Sequence, residues 1–274
     1  MSGAQSIGSY LPALAYCILL LVGCDQQSKL QNAGIGSSER KVSVAAAADL
    51  KFAFEELIAG FQESYPHIKV QVTYGSSGNF FAQLTNQAPF DLYFSADASY
   101  PRQLAQKGLA DQESLFVYAV GQIVVWVPSG SGIDVEKLGI RAVLDPAAKK
   151  VAIANPQHAP YGRAAEAAMK NLGVAEQVQG RLVLGENIAQ TAQFVESGAA
   201  DIGIIALSLA CAPALRDKGN YWLIPIDAYP TMEQASVVLN WASDREATDL
   251  FRTFVAGPRG RKVLKQYGFI LPGE

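Results

Sequence analysis

From Lys41 onward, short apolar runs of strand length alternate with stretches whose apolar residues recur at helical spacing, and this alternation narrows the fold more than any other feature of the chain. VSVAAA (42–47) reads as a strand, and LKFAFEELIAGFQESY then places Leu50, Phe54, Leu57, Ile58 and Phe61 on one helical face before Pro66 stops it. IKVQVTY and DLYFSA read as the next strands, with a helix beginning near Asn79 between them, and SYPRQLAQKG as a short helix with Pro101 in its first turn. A second series follows the apolar run QIVVWVP (122–128): the strand KVAIAN (150–155), helices over YGRAAEAAMKNLG and NIAQTAQFVESG, and the strands ADIGII and YWLIPI. ASVVLNWA leads into the helix DREATDLFRTFVAG and a C-terminal GRKVLKQYGF. Strand–helix alternation implies an α/β fold whose sheets are mostly parallel and flanked by helices.

Two such series with a closing third segment predict two lobes: residues 41–120 with 236–274 form the first, and residues 121–235 the second. With 274 residues, half of them hydrophobic and 17% charged, the chain can bury a large core. No repeat at a fixed period is visible.

The N-terminus stands outside this scheme. LPALAYCILLLVG (11–23) is apolar, short for a membrane span, and followed at once by Cys24 and a polar stretch, so residues 1–23 read as a signal peptide, although they lack Lys and Arg. Leu21-Val22-Gly23-Cys24 resembles the lipobox of bacterial lipoproteins, which implies lipidation of Cys24, a membrane anchor and a location on the periplasmic or cell-surface side. Residues 24–40, polar and without periodicity, read as a flexible tether. Once Cys17 leaves with the signal and Cys24 carries lipid, Cys211 has no disulfide partner and reads as a small core residue.

Several function classes fall away. A net charge of −3 lacks the basic face that nucleic acid requires. The only histidines are His67 and His158, and no His/Cys/Asp cluster has metal-ligand spacing. Walker A, dinucleotide-binding and nucleophile-elbow patterns are absent, and no motif histidine stands ready to activate Ser76 or Ser77. The chain reads as a binding protein with no cofactor, not as an enzyme.

Four stretches occupy the same kind of position, the end of a strand where a helix begins: AAAADL (45–50), YGSSGN (74–79), NPQHAPYG (155–162) and GENIAQ (185–190). Open α/β sheets bind ligands beyond the carboxyl ends of their strands. Helix N-termini offer unpaired N–H groups and partial positive charge, and the adjacent hydroxyls of Ser76 and Ser77 add neutral donors. Two junctions belong to each lobe, so the expectation is a cleft lined from both sides.

In this order and spacing the stretches, together with APFDLYFSAD (88–97) and ADIGII, resemble the molybdate-binding proteins of bacterial ABC importers over residues 41–272. The resemblance implies a two-lobed type II periplasmic binding protein fold with the ligand cleft between lobes, a monomer, an ABC permease as partner, and a tetrahedral oxyanion of the molybdate or tungstate type as ligand. By motif, Ser77 falls on the serine of the second loop, Tyr161 beside the proline of the third, and Ile188 on the backbone donor of the fourth.

Two positions depart from the family pattern: Asp49 stands where a serine or asparagine is usual, and Ala206 where a late tyrosine is usual. An ionised carboxylate a few Å from a dianion is repulsive by several kcal/mol. Three readings of Asp49 follow: a helix cap, an acceptor for a protonated or hydroxylated ligand, or a partner for a cationic group. The second and third leave open a carrier or sensor of the same fold for a protonated, hydroxylated or apolar ligand.

Overall fold

The computed structural model describes residues 40–273, so the signal peptide, the lipobox cysteine and nearly all of the tether lie outside the described residues. In chain order the strands are β1 (Arg40–Ala47), β2 (Ile68–Gly75), β3 (Leu92–Ser95), β4 (Phe116–Gly121), β5 (Ile123–Pro128), β6 (Val151–Ala154), β7 (Leu182–Gly185), β8 (Ile202–Ala206), β9 (Gly219–Leu223) and β10 (Met232–Val238). They form two sheets of five strands, ordered β2-β1-β3-β10-β4 and β7-β6-β8-β5-β9. Each sheet contains one reversed strand: β10 runs antiparallel to β3 and β4, and β5 runs antiparallel to β8 and β9. The α/β, two-lobed architecture expected from the alternation is the one observed.

Strand periodicity builds the first lobe. Along β1, Val42, Val44 and Ala46 face one core while Ala45 faces another, because successive side chains point to opposite faces of a sheet. The first core gathers Phe54 and Phe61 from the helix Lys51–Ser64, Phe94 from β3 and Phe251 from the helix Arg245–Ala256. Phe54 meets Phe94 edge-on at 4.9 Å and Phe251 at 6.0 Å, the geometry in which ring quadrupoles attract. The helical face marked by Leu50, Phe54, Leu57 and Phe61 is therefore what fastens the C-terminal segment to the first lobe.

Chain crossings between the lobes lie side by side. The outward crossing follows Gly121, and the return precedes Met232, which pairs directly with Gly121. Met232–Ala235 belong to β10 in the first sheet, so the expected boundary at 235 is displaced toward the N-terminus. The run from Met232 to Val238 is one strand, so a boundary between residues 235 and 236 cuts through it. Strands β4 and β7 were not anticipated: β4 is separated from β5 by Gln122 alone, and β7 has only four residues. Half-buried Cys211 is a free thiol, and burial pushes its pKa up.

Candidate functional site

At the end of β2 the chain enters a helix at Ser77, two residues earlier than the apolar spacing suggested. Ser76 is the N-cap, extended at φ −82° and ψ 143°, with its hydroxyl accepting from the Asn79 N–H at 3.4 Å. The same hydroxyl shares a 2.9 Å hydrogen bond with Nδ1 of His158 from the other lobe. Ser77 Oγ accepts from the Ala96 N–H at 2.9 Å, which leaves its hydroxyl hydrogen for another acceptor. The two serines therefore divide the work: Ser76 caps and crosses to the second lobe, and Ser77 keeps a donor in hand.

The lobes approach closely here. Gly78 N–H donates to the His158 carbonyl at 2.9 Å, and a Cβ on Gly78 would stand 2.6 Å from that oxygen. Asn79 bonds Glu186, and Arg163 pairs with Asp97 at 2.7 Å, so three elements of the second lobe reach the first.

Between the lobes lies a small cavity of about 10 Å³, lined by Ala47, Ala48 and Asp49 after β1, Gly75, Ser76 and Ser77 after β2, and Ala96 after β3; the second lobe contributes Ala159, Pro160, Tyr161 and Ile188. Five of the six predicted residues, Asp49, Ser76, Ser77, Tyr161 and Ile188, thus share one cavity. Ala206, fully buried at the end of β8, is not among the residues that line it. Ile188 opens the helix Ile188–Glu196, whose N-cap Asn187 holds the N–H groups of Ala189 and Gln190 but not that of Ile188.

Asp49 is the one ionisable carboxyl in the lining, and it is 1% exposed. Its Oδ2 accepts from the Tyr161 hydroxyl and from Gln234 Nε2, both at 2.8 Å. Gln234 Oε1 in turn accepts from Tyr118 at 2.8 Å, and the Asp49 carbonyl accepts from Ser208 at 2.8 Å. Oδ1 has no hydrogen-bond partner of good geometry, although the N–H groups of Asp49 and Leu50 lie near enough to ease its charge. Burial raises the Asp49 pKa to about 6 against those hydrogen bonds, and no cation offsets it. Burial and the Asp49 charge hold the Tyr161 hydroxyl well above the ordinary tyrosine range.

Helix capping by Asp49 is not what the structure has: the helix starting at Lys51 carries no side-chain cap. Sequence reasoning missed three members of the network around Asp49, Tyr118, Ser208 and above all Gln234. A fully buried glutamine in the strand MEQASVV is the signal that could have found it, because an inward amide needs a buried partner. Gly121 also belongs here, since a Cβ on it would sit 2.6 Å from both Gln234 Nε2 and the Tyr161 hydroxyl.

Residues 42–270 match the family model of the bacterial extracellular solute-binding proteins. The chain belongs to that family. The molybdate-binding protein ModA of Azotobacter vinelandii is 35% identical over 230 residues, covering 84% of this chain and 89% of that protein. ModA of Rhodobacter capsulatus is 32% identical over 251 residues, covering 92% and 96%. The solved periplasmic molybdate-binding protein of A. vinelandii superposes with a TM-score of 0.78 at 30% identity, covering 84% of this chain and 99% of that one. These relatives are binding proteins and not enzymes.

Proposed function

We propose that this chain is the solute-binding component of an ABC importer and that it captures a small tetrahedral oxyanion, molybdate or tungstate, outside the cytoplasm. One observation carries the reading: strand-to-helix junctions from both lobes converge on a single small cavity whose polar lining is hydroxyls, helix starts and one acid, with no cation. Neutral donors pointed from helix N-termini suit a compact anion of several oxygens. The curated relatives named for molybdate add to the case.

In this reading the work is closure and release. A ligand touched by Ser77 from the first lobe and by the Ile188 junction from the second stabilises the state in which both are in reach, and contacts such as Gly78 to His158 form as the lobes meet. Isothermal titration of molybdate, tungstate, sulfate and phosphate into the purified chain tests it. Molybdate and tungstate are expected to bind and sulfate to bind more weakly; absence of binding by molybdate and tungstate would remove the reading. We further read Cys24 as lipid-modified and the chain as a monomer, which intact mass of the mature protein and light scattering would check.

A further inference from the structure

The most unusual atom in the cavity is Asp49 Oδ1, a buried carboxyl oxygen with no hydrogen-bond partner in a residue that lines the space where the ligand would sit. Every element packed against Asp49 supplies it with donors or with nothing charged. Helix Pro160–Asn171 presents the Tyr161 hydroxyl, β10 presents Gln234, β4 presents Tyr118 behind Gln234, and Leu207–Ala210 presents Ser208 to the main chain. From β2, the Tyr74 hydroxyl turns to the Lys51 carbonyl, while Lys51, Glu55 and Glu56 of the following helix are exposed. Helix Ile188–Glu196 contributes Ile188. Oδ2 is already occupied by two donors, so Oδ1 is the carboxyl oxygen left for a ligand.

Two oxygens cannot share a hydrogen bond unless one of them carries a hydrogen. Molybdate as a bare dianion has none. Resting on the oxyanion reading above, we propose that Asp49 enters the complex as a neutral carboxylic acid whose Oδ1–H donates to the bound oxyanion, so that each molybdate is taken up together with one proton. Asp49 is then a specificity residue that accepts the charge of the ligand by surrendering its own. Burial already raises its pKa to about 6, so the acid is close to the form the complex needs.

Calorimetric titration of sodium molybdate into the purified chain, repeated in two buffers of different ionisation enthalpy, counts the protons. About one proton is expected to be taken up per molybdate near about pH 8, with affinity falling about tenfold per unit between about pH 7 and about pH 9, the behaviour of a single linked group. Asp49→Asn keeps an oxygen for Tyr161 and Gln234 and offers an N–H to the ligand. It is expected to bind with no proton uptake, with a flat profile, and about 100-fold more tightly than the wild type near about pH 8. Molybdate bound by the wild-type chain with no proton uptake overturns the proposal and leaves the oxyanion reading standing. No binding of molybdate at any pH removes both. The wild-type proton count decides the matter by itself if the variant does not fold.

Discussion

At the end of β2 the chain sets two neutral hydroxyls against the cavity, and at the end of β1, one strand over, it sets a buried carboxyl. Both junctions follow a strand of eight residues and both lead into a helix of the first lobe. Their side chains differ in what they do with hydrogen. Ser77 accepts from a backbone N–H and has its own hydrogen to give. Asp49 accepts twice on Oδ2 and, when ionised, has nothing to give. Magnitudes decide how such an acid lives beside a dianion. A carboxylate about 4 Å from even one unit of negative charge is opposed by about 4 kcal/mol at an effective dielectric of 20. Protonating a group of pKa about 6 at neutral pH costs about 1.4 kcal/mol. The proton wins, and the two junctions become equivalent donors by different routes.

The largest effect separating them concerns the protein without ligand. A carboxyl raised from 3.8 to about 6 on folding gives stability that is complete below about pH 3.8 and is lost as pH rises through 6, because the folded state holds the proton longer than the unfolded one. Asp49→Asn carries no such dependence. Urea unfolding of both proteins is therefore expected to show the variant gaining about 3 kcal/mol on the wild type between about pH 4 and about pH 8. A constant difference across that range would show that Asp49 titrates as it does in water, and the contrast between the junctions would vanish.

Much of this was legible in the sequence, for a physical reason. Helical spacing in LKFAFEELIAGFQESY and alternation in VSVAAA are local consequences of burying one face, so the elements and the two lobes could be read directly, and with them the four junctions. Five of the six candidate residues lie at such junctions. What escaped were pairings between distant parts of the chain. Gln234 reaches Asp49 across 185 positions, and nothing local to either residue announces the other. The division of residues 232–238 failed for the same cause: a strand that returns from the second lobe to pair with β3 carries no mark of its partner in its own residues. Ala206 was carried over by motif alone, and it is not among the residues that line the cavity.

Next in size is Ser77→Ala. The substitution removes the hydroxyl expected to donate to the oxyanion and leaves the Ala96 N–H without its acceptor. Hydrogen bonds to charged groups contribute about 1.5–3 kcal/mol, so molybdate affinity is expected to fall roughly 10- to 100-fold by calorimetry, with a modest loss of stability besides. If affinity is unchanged while stability drops, Ser77 belongs to the scaffold and the donor of this junction must be sought among its backbone N–H groups.

Ser76→Ala, the smallest of the three effects, divides the β2 junction itself. Ser76 gives the helix its N-cap and meets His158 across the lobes, both through one oxygen that is already engaged. Loss of a serine cap costs about 1 kcal/mol, so unfolding is expected to shift by that amount, with the first turn of Ser77–Thr85 loosened. Binding suffers only indirectly, through the weakened contact that helps hold the lobes together, and a fall of about fivefold or less is expected, the equivalent of about 1 kcal/mol. The ratio of the two serine variants is the sharper quantity, because both sit on the same turn and share any general damage to it. A loss of affinity in Ser76→Ala equal to that in Ser77→Ala would mean that the cap, and not a single directed hydroxyl, is what makes this junction bind.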